Sequence, residues 1–350
     1  MKITSYNSQK IKVLSFVAIM MVLFIHAVFS EAKDFPASAY IQEFCAFSGL
    51  SFVANPLFYS ISGYLFFLGV SRVRDCYPKI RKRTRTLLVP YIIWNIIFVL
   101  WYVVLGLIPG VSKFVNSDMT SGLINNGPLH ALYELFIAPA GFQLWYVRDL
   151  LIYVMLSPAI YLLVKHLRAV GLILLFAAGT YGLLYLPSEV KIWGAFFFTL
   201  GGYIALHSSL EELHQKITPS FAYVCLLLYS LNAIIRPMDI ISLKGTDMVV
   251  ELCGLVAIWR LYDVVVKNED SATIQQLAAW GGYSFFIYLF HEPAFNIIKK
   301  IGVKVLGIHE WSLILLYLVC PFVMCMVAIG VAKILQRYVP KVYSVLVGGR

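Results

Sequence analysis

The chain has 350 residues, of which 60% are hydrophobic and only 13% are charged. Soluble domains carry roughly a quarter charged residues, so this composition excludes an ordinary water-soluble enzyme. The formal net charge is +10, but the basic residues lie in short segments between apolar runs, which favours membrane anchoring over nucleic-acid binding. We therefore expect one membrane domain over residues 1–350, with the lipid bilayer and not a nucleic acid as its surroundings.

Ten apolar runs follow one another along the chain. A helix needs about 20 largely apolar residues to cross a hydrocarbon core of about 30 Å, and most of the runs meet that length. Because lipid offers no partners to backbone amides, the runs are predicted to be helices and the fold to be all-α. The runs cover residues 13–30, 47–70, 87–107, 145–164, 169–186, 192–207, 220–235, 248–266, 277–297 and 312–335.

Lysine and arginine positions predict how these helices are oriented, because cytoplasmic loops carry an excess of both. The segment before the first run carries Lys2, Lys10 and Lys12, and the first run lacks a signal-peptide cleavage site, so we expect a retained helix with a cytoplasmic N-terminus. Ten crossings then place both termini in the cytoplasm and the turn-rich loop 108–142 outside. The segment between the second and third runs is also predicted to be cytoplasmic, and its basic residues are Arg72, Arg74, Lys79, Arg81, Lys82, Arg83 and Arg85.

His26 is the first candidate for a functional residue, because a polar side chain within a spanning helix costs energy unless it faces a cavity or a partner. It follows 13 residues after the predicted helix start, about 20 Å along the helix, which places it beyond the middle of the membrane. A neutral imidazole can take a proton from an attacking hydroxyl near pH 7, so His26 could be a general base. A histidine bonded to a neighbouring helix would serve packing alone.

Two more pairs of polar residues are predicted to lie in the outer half of the membrane. Each pair could contact a substrate or could serve structure alone. His291 and Glu292 precede Pro293 in the ninth run, where they could contact a substrate or pack beside a proline kink. Arg148 and Asp149 follow Trp145 at the start of the fourth run. The aromatic residue fits an interfacial belt, whereas the two charges could orient a sugar or extend to the membrane surface.

The basic segment before the third run is a candidate anion site. Lys82, Arg83 and Arg85 lie where they could hold the phosphates of a donor that arrives from the cytoplasm. The same cluster of basic residues would also be expected if it only held the loop on the cytoplasmic side. Phosphate binding and membrane anchoring therefore both remain possible interpretations.

Five pieces of the sequence, taken in order, resemble the membrane acyltransferase-3 family over nearly the whole chain. The first leads to His26, the third follows the basic segment, and the fifth ends at His291. These pieces are residues 11–16 with 25–26, then 61–67, 87–94, 144–150 and 283–291.

The resemblance implies that an acyl group, often acetyl, moves from cytoplasmic acyl-CoA to a hydroxyl of a cell-surface sugar, polysaccharide or glycolipid. It also implies a multi-pass protein of the bacterial plasma membrane that uses no metal. His26 matches the family's essential histidine and is the expected catalytic residue. The expected donor contacts are Lys12, Lys82, Arg83 and Arg85, and the expected substrate contacts are Trp145, Arg148, Asp149, His291 and Glu292.

The chain departs from the family pattern at two places. Ser15 stands where the family commonly has an arginine, with Lys12 one turn earlier, and Lys82 with Arg85 gives Lys-x-x-Arg in place of Arg-x-x-Arg. The alternatives to an enzyme are a transporter or exporter of a polysaccharide or lipid-linked sugar, and an inactive scaffold of the same fold. Transport predicts broken helices in paired repeats, which the sequence does not show, and tolerance of His26→Gln.

Overall fold

A computed structural model describes residues 3–46, 49–107, 133, 136–181, 191–238 and 246–349. In that part of the chain the regular structure is helical and includes no strand, which confirms the all-α prediction. Most of the predicted outer loop 108–142 lies outside the described residues. The α-helices are α1 Ser5–His26, α2 Pro36–Cys45, α3 Ala54–Phe67, α4 Cys76–Leu107, α5 Trp145–Met155, α6 Ser157–Leu167, α7 Ala169–Tyr181, α8 Ile192–His207, α9 Leu210–Lys216, α10 Pro219–Ile235, α11 Thr246–Val265, α12 Ala272–Gly281, α13 Ser284–Leu306, α14 Glu310–Tyr338 and α15 Pro340–Leu346.

Several helices are long and apolar enough to cross a membrane. By length and composition, four described helices qualify, and the bent pair α5–α6 would make a fifth. The four are α1, α4 with the turn before it, α10 with the turn after it, and α14. These helices indicate a membrane protein, while the number of about ten crossings and the cytoplasmic termini stay predictions.

Two predicted helices are interrupted in the structure. The fourth run was expected to be continuous over 145–164, but α5 and α6 meet at an angle of 62°. Pro158, in the first turn of α6, has no backbone N–H to continue the hydrogen bonds of α5. The ninth run is likewise divided into α12 and α13, and Glu292 inside α13 has the extended backbone angles φ −99° and ψ 140°, as favoured for a residue that precedes proline.

Helix α1 lies at the centre of the packing that forms the site. It contacts α3, α12, α13 and α14. Next to it, α3 packs closely on α8 because glycines allow the two backbones to approach. A Cβ on Gly63 would lie only 1.9 Å from the carbonyl oxygen of Phe198.

Candidate active site

His26 is the last residue of α1. The helix begins at Ser5, eight residues before the predicted start, and stops four residues before the predicted end at 30. The 22 residues from Ser5 to His26 are separated by 21 steps of 1.5 Å, about 32 Å of helix. The prediction that His26 lies partway along its helix was therefore wrong, because the helix ends at His26 and not at residue 30. Its ring is half-buried, beside the exposed ring of Phe142.

The structure places His291 against His26. Their ring centroids are 5.0 Å apart, and His291 is fully buried. The Nδ1 atom of His291 lies 2.7 Å from the carbonyl oxygen of Tyr288. Because a carbonyl can only accept, Nδ1 must donate, and this leaves Nε2 of the neutral ring with a lone pair.

Two buried acceptor atoms near this pair have no hydrogen-bond partner in the described part of the chain. They are Nε2 of His291 and Oε1 of Gln143, the residue that follows Phe142. The Gln143 carbonyl accepts a hydrogen bond from the Tyr288 hydroxyl, which fixes this turn against α13. A buried polar atom without a partner costs about 1–3 kcal/mol, so both atoms are acceptors that gain free energy when a ligand or a water donates to them.

Polar contacts hold the end of α1 and the break in α13 together. Lys299 Nζ donates to the carbonyl oxygens of Val28 (2.7 Å) and His26 (3.2 Å). It therefore satisfies carbonyl groups at the C-terminal end of α1, which have no partners within the helix. The Glu292 carboxylate is buried and accepts a hydrogen bond from Asn296 Nδ2 at 2.7 Å.

A cavity of about 250 Å³ lies between the basic segment and the histidine pair, and its described lining includes neither His26 nor His291. Arg83 of α4 and Ser15, near the middle of α1, line one end of it, and Val22 and Tyr288 line its other end. Val22 lies one helical turn before His26. The wall is mostly apolar, and its described residues include one cation and no carboxylate, with hydroxyls from Ser15, Ser62 and Ser284. Such a cavity suits a flexible, largely neutral arm with an anionic group at its entrance.

The four predicted donor-binding cations do not lie together. Arg83 faces the cavity, whereas Lys82 and Arg85 line a separate groove on another face of α4. The Lys12 side chain is exposed and does not line the cavity, although Ile11 and Ser15 on either side of it do. The predicted donor contact at Lys12 therefore lies outside this cavity, whereas Ser15 is part of its lining.

The predicted substrate residues at the start of α5 form a buried pair. Arg148 is 5% exposed and Asp149 is 0% exposed, so neither extends to the membrane surface. Arg148 Nε donates to Asp149 Oδ1 at 2.9 Å, and the backbone N–H of Lys191 donates to Asp149 Oδ2 at 3.2 Å. Trp145 is half-buried next to Tyr146, whose ring lies 5.7 Å from that of Tyr288.

Three further residues of the site were not predicted from the sequence, namely Gln143, Tyr288 and Lys299. Gln143 lies between the predicted outer loop and the aromatic residues predicted to lie at the membrane interface. Tyr288 was noted only as part of residues 283–291, which resemble the family. Lys299 could have been predicted to lie near Glu292, since it follows Glu292 by seven residues, or two helical turns, and therefore lies on the same helical face.

Comparison with known proteins agrees with the resemblance seen in the sequence. A family model described as an acyltransferase domain matches residues 9–331. The succinoglycan biosynthesis protein ExoH of Rhizobium meliloti (strain 1021) is 24% identical over 308 residues, which cover 85% of this chain and 79% of that protein. No solved structure matches the chain. Because the family match covers most of the sequence, the chain belongs to this acyltransferase family.

Proposed function

From this family membership we propose that the protein transfers an acyl group, with acetyl as the first candidate, from cytoplasmic acyl-CoA to a hydroxyl of a cell-surface polysaccharide, sugar or glycolipid. The observation that carries the proposal is the cavity that extends from Arg83 to Val22 and Tyr288, because Val22 lies one helical turn before His26 and the Tyr288 ring lies 6.2 Å from that of His291. The name of the relative, which concerns succinoglycan biosynthesis, favours a polysaccharide acceptor.

The proposed topology follows from the charge distribution. We place residues 1–350 in the bacterial plasma membrane as one domain with about ten crossings and both termini in the cytoplasm. The entrance of the cavity near Arg83 then faces the cytoplasm, and His26, about 32 Å from Ser5 along α1, lies near the outer face. The two substrates approach His26 from opposite sides, so the whole donor does not need to cross the membrane.

In the proposed reaction His26 is the general base. It takes the proton of the acceptor hydroxyl while the hydroxyl oxygen bonds to the thioester carbonyl carbon. The carbon–sulfur bond then breaks, the acyl group stays on the acceptor oxygen, and the proton passes from His26 to the CoA sulfur. His26 is neutral again at the end, so no other reactant is needed.

For the donor, we propose Arg83 as the contact with the CoA phosphates, because it is the cation that lines the cavity. The hydroxyls of Ser15, Ser62 and Ser284 lie along the route and can bond the amides of the CoA arm. Ser284 is suited to this role because its buried hydroxyl has no partner among the described residues.

For the acceptor, we propose that hydroxyl groups donate to Nε2 of His291 and Oε1 of Gln143. Both atoms are buried acceptors without partners in the described chain, and a sugar supplies several hydroxyl donors close together. Glu292 and Trp145 lie on the neighbouring segments and remain proposed substrate contacts. Arg148 and Asp149 form a buried hydrogen-bonded ion pair with each other, so we propose that they stabilise the start of α5 and do not contact the substrate.

The transporter alternative draws some support from the bend between α5 and α6 and from the extended residue Glu292. These breaks are not arranged in a detectable pair of repeats, and the family is one of acyltransferases. His26→Gln separates the two functions, since a transport route tolerates this change and a general base does not.

Acyl transfer in isolated membranes tests the proposal. Membranes that contain the protein are supplied with acetyl-CoA labelled in the acetyl group, and label in surface glycans is compared for wild type, His26→Ala and His166→Ala. His166 is an exposed histidine and serves as the matched control. We expect His26→Ala to lose about 100-fold or more of the transfer rate, as is typical when a general base is removed. Wild-type label incorporation by membrane-inserted His26→Ala would contradict the proposal.

A further inference from the structure

A groove of about 940 Å³ lies between the beginning of α4 and α15. It is separate from the cavity that Arg83 lines. Arg81, Lys82 and Arg85 line the groove, and its described lining includes no carboxylate. The groove therefore concentrates positive charge at one place on the surface.

The three cations are available to a ligand. All three side chains are exposed, and none of them forms an ion pair within the described part of the chain. Arg side chains can bind a phosphate through two parallel hydrogen bonds, and Lys82 adds a third positive charge. The composition of the groove thus fits a phosphate group.

The same face of α4 continues as a stripe of exposed aliphatic side chains. Val89 lines the groove and lies one turn after Arg85, and Ile96, Leu100 and Val104 follow at intervals of two, one and one turns. Leu100 is 57% exposed and Val104 is 55% exposed. The distance along the helix from Arg85 to Val104 is about 28 Å, close to the thickness of a hydrocarbon core. The cations are therefore placed at headgroup level and the stripe along acyl chains.

The opposite wall of the groove is a short helix that fits the membrane surface. Val342 and Val345 of α15 are exposed, whereas Tyr343 packs its ring 5.5 Å from that of Phe286. The Trp94 indole N–H donates to the carbonyl of Leu346 at 3.1 Å, which holds α15 against α4. An amphipathic helix with exposed aliphatic residues beside basic side chains is typical of an interfacial element.

We propose that this groove binds one anionic phospholipid, with its phosphate at Arg81, Lys82 and Arg85 and an acyl chain along the nearer part of the stripe, from Val89 to Leu100. Juxtamembrane basic clusters recognise anionic lipids in the cytoplasmic leaflet, where the charge distribution places this segment. The site does not depend on acyl transfer, since neither Arg83 nor His26 belongs to it.

Direct binding of phosphatidylglycerol to the purified full-length protein in detergent tests the proposal, with phosphatidylcholine as the zwitterionic comparison. The variant Arg81→Gln/Lys82→Gln/Arg85→Gln alters only exposed side chains, so it is expected to fold. The matched control, Lys165→Gln/Lys216→Gln/Lys267→Gln, removes three exposed cations from other segments predicted to be cytoplasmic. The groove variant should bind phosphatidylglycerol about 100-fold more weakly, from the usual contribution of three basic residues, and the control should bind as wild type does.

Two results would overturn the proposal. One is equal binding of phosphatidylglycerol to the wild type and the groove variant. The other is that coenzyme A displaces phosphatidylglycerol from the wild type and loses affinity for the groove variant, which would make the donor's phosphates the occupant. Each result is obtained without measuring transfer, so it is independent of the outcome for His26.

Discussion

The rings of His26 and His291 lie 5.0 Å apart, centroid to centroid, at the meeting point of the C-terminal end of α1 and the break in α13. His291 is buried and donates through Nδ1 to its own helix, so its Nε2 lone pair remains available beside His26. An acceptor hydroxyl held at this lone pair would be close to the general base. In the proposed function the pair separates two tasks, with His26 moving the proton and His291 positioning the acceptor.

His291→Leu should weaken binding of the acceptor, because it removes the lone pair but keeps an apolar side chain of similar size. We expect KM for the acceptor to rise about tenfold, the effect of losing one hydrogen bond of about 1.4 kcal/mol, with KM for the donor unchanged. Steady-state kinetics with each substrate varied in turn measures both values. His207→Leu is the control, since that ring also bonds a carbonyl, at 3.1 Å, but away from the site. Equal effects of the two variants would argue against a positioning role for His291.

Lys299→Met should destabilise the end of α1 and slow acyl transfer. The ammonium group donates to the carbonyls of Val28 and His26, and a hydrogen bond from a charged group contributes about 1.5–3 kcal/mol. Thermal unfolding in detergent should show a lower midpoint than wild type, and Lys304→Met, which changes an exposed lysine of the same helix, should not. An unchanged midpoint for Lys299→Met would show that these carbonyls do not need the lysine.

Arg83→Gln should raise KM for acyl-CoA while kcat changes little, because the proposed contact of Arg83 with the phosphates is made both before and during the reaction. We expect about a tenfold rise, the usual size for one charge-assisted contact. Lys12→Gln is the matched comparison, since its side chain lies outside the cavity. A larger effect of Lys12→Gln than of Arg83→Gln would favour the donor contacts that the sequence pattern predicts over those that the cavity indicates.

Gly63→Ala should lower the stability of the protein. The added Cβ would lie 1.9 Å from the Phe198 carbonyl oxygen, so α3 and α8 would have to separate. Gly330→Ala is the control, because no atom lies within 4 Å of its added Cβ and alanine favours a helix by up to about 1 kcal/mol. Thermal unfolding should show a loss for Gly63→Ala and no loss for Gly330→Ala. Equal midpoints would mean that the close packing of α3 on α8 contributes little.

The apolar runs could be found from the sequence, because length and hydropathy decide whether a segment is a membrane helix. Each predicted run coincides at least in part with a helix, and residues 192–207 were predicted with the observed bounds of α8. The bounds of α1 and α4 were less accurate because polar segments extend both helices at their N-terminal ends. Hydropathy does not report on such segments, since their residues are not apolar.

The arrangement of the site could be predicted only in part. The cost of a polar residue in lipid identified His26 and His291 one by one, but their contact depends on how α1 packs on α13. Within the basic segment, Arg83 lines the cavity and Lys82 and Arg85 line the groove because their side chains lie on different faces of α4. The segment was predicted to be a loop, so these faces could not be assigned from the sequence. The burial of Arg148 and Asp149 depends on a contact with Lys191, which is distant in the sequence.

Acyl transfer across a sealed membrane tests the central claim most directly. Vesicles of one orientation receive labelled acetyl-CoA only at the face where Arg83 lies, while the polysaccharide acceptor is present only at the face near His26. The account predicts that wild-type vesicles label the acceptor although coenzyme A stays on its own side, and that His26→Ala vesicles do not. Labelling that requires both substrates on one side, or that continues in His26→Ala at the wild-type rate, would contradict it.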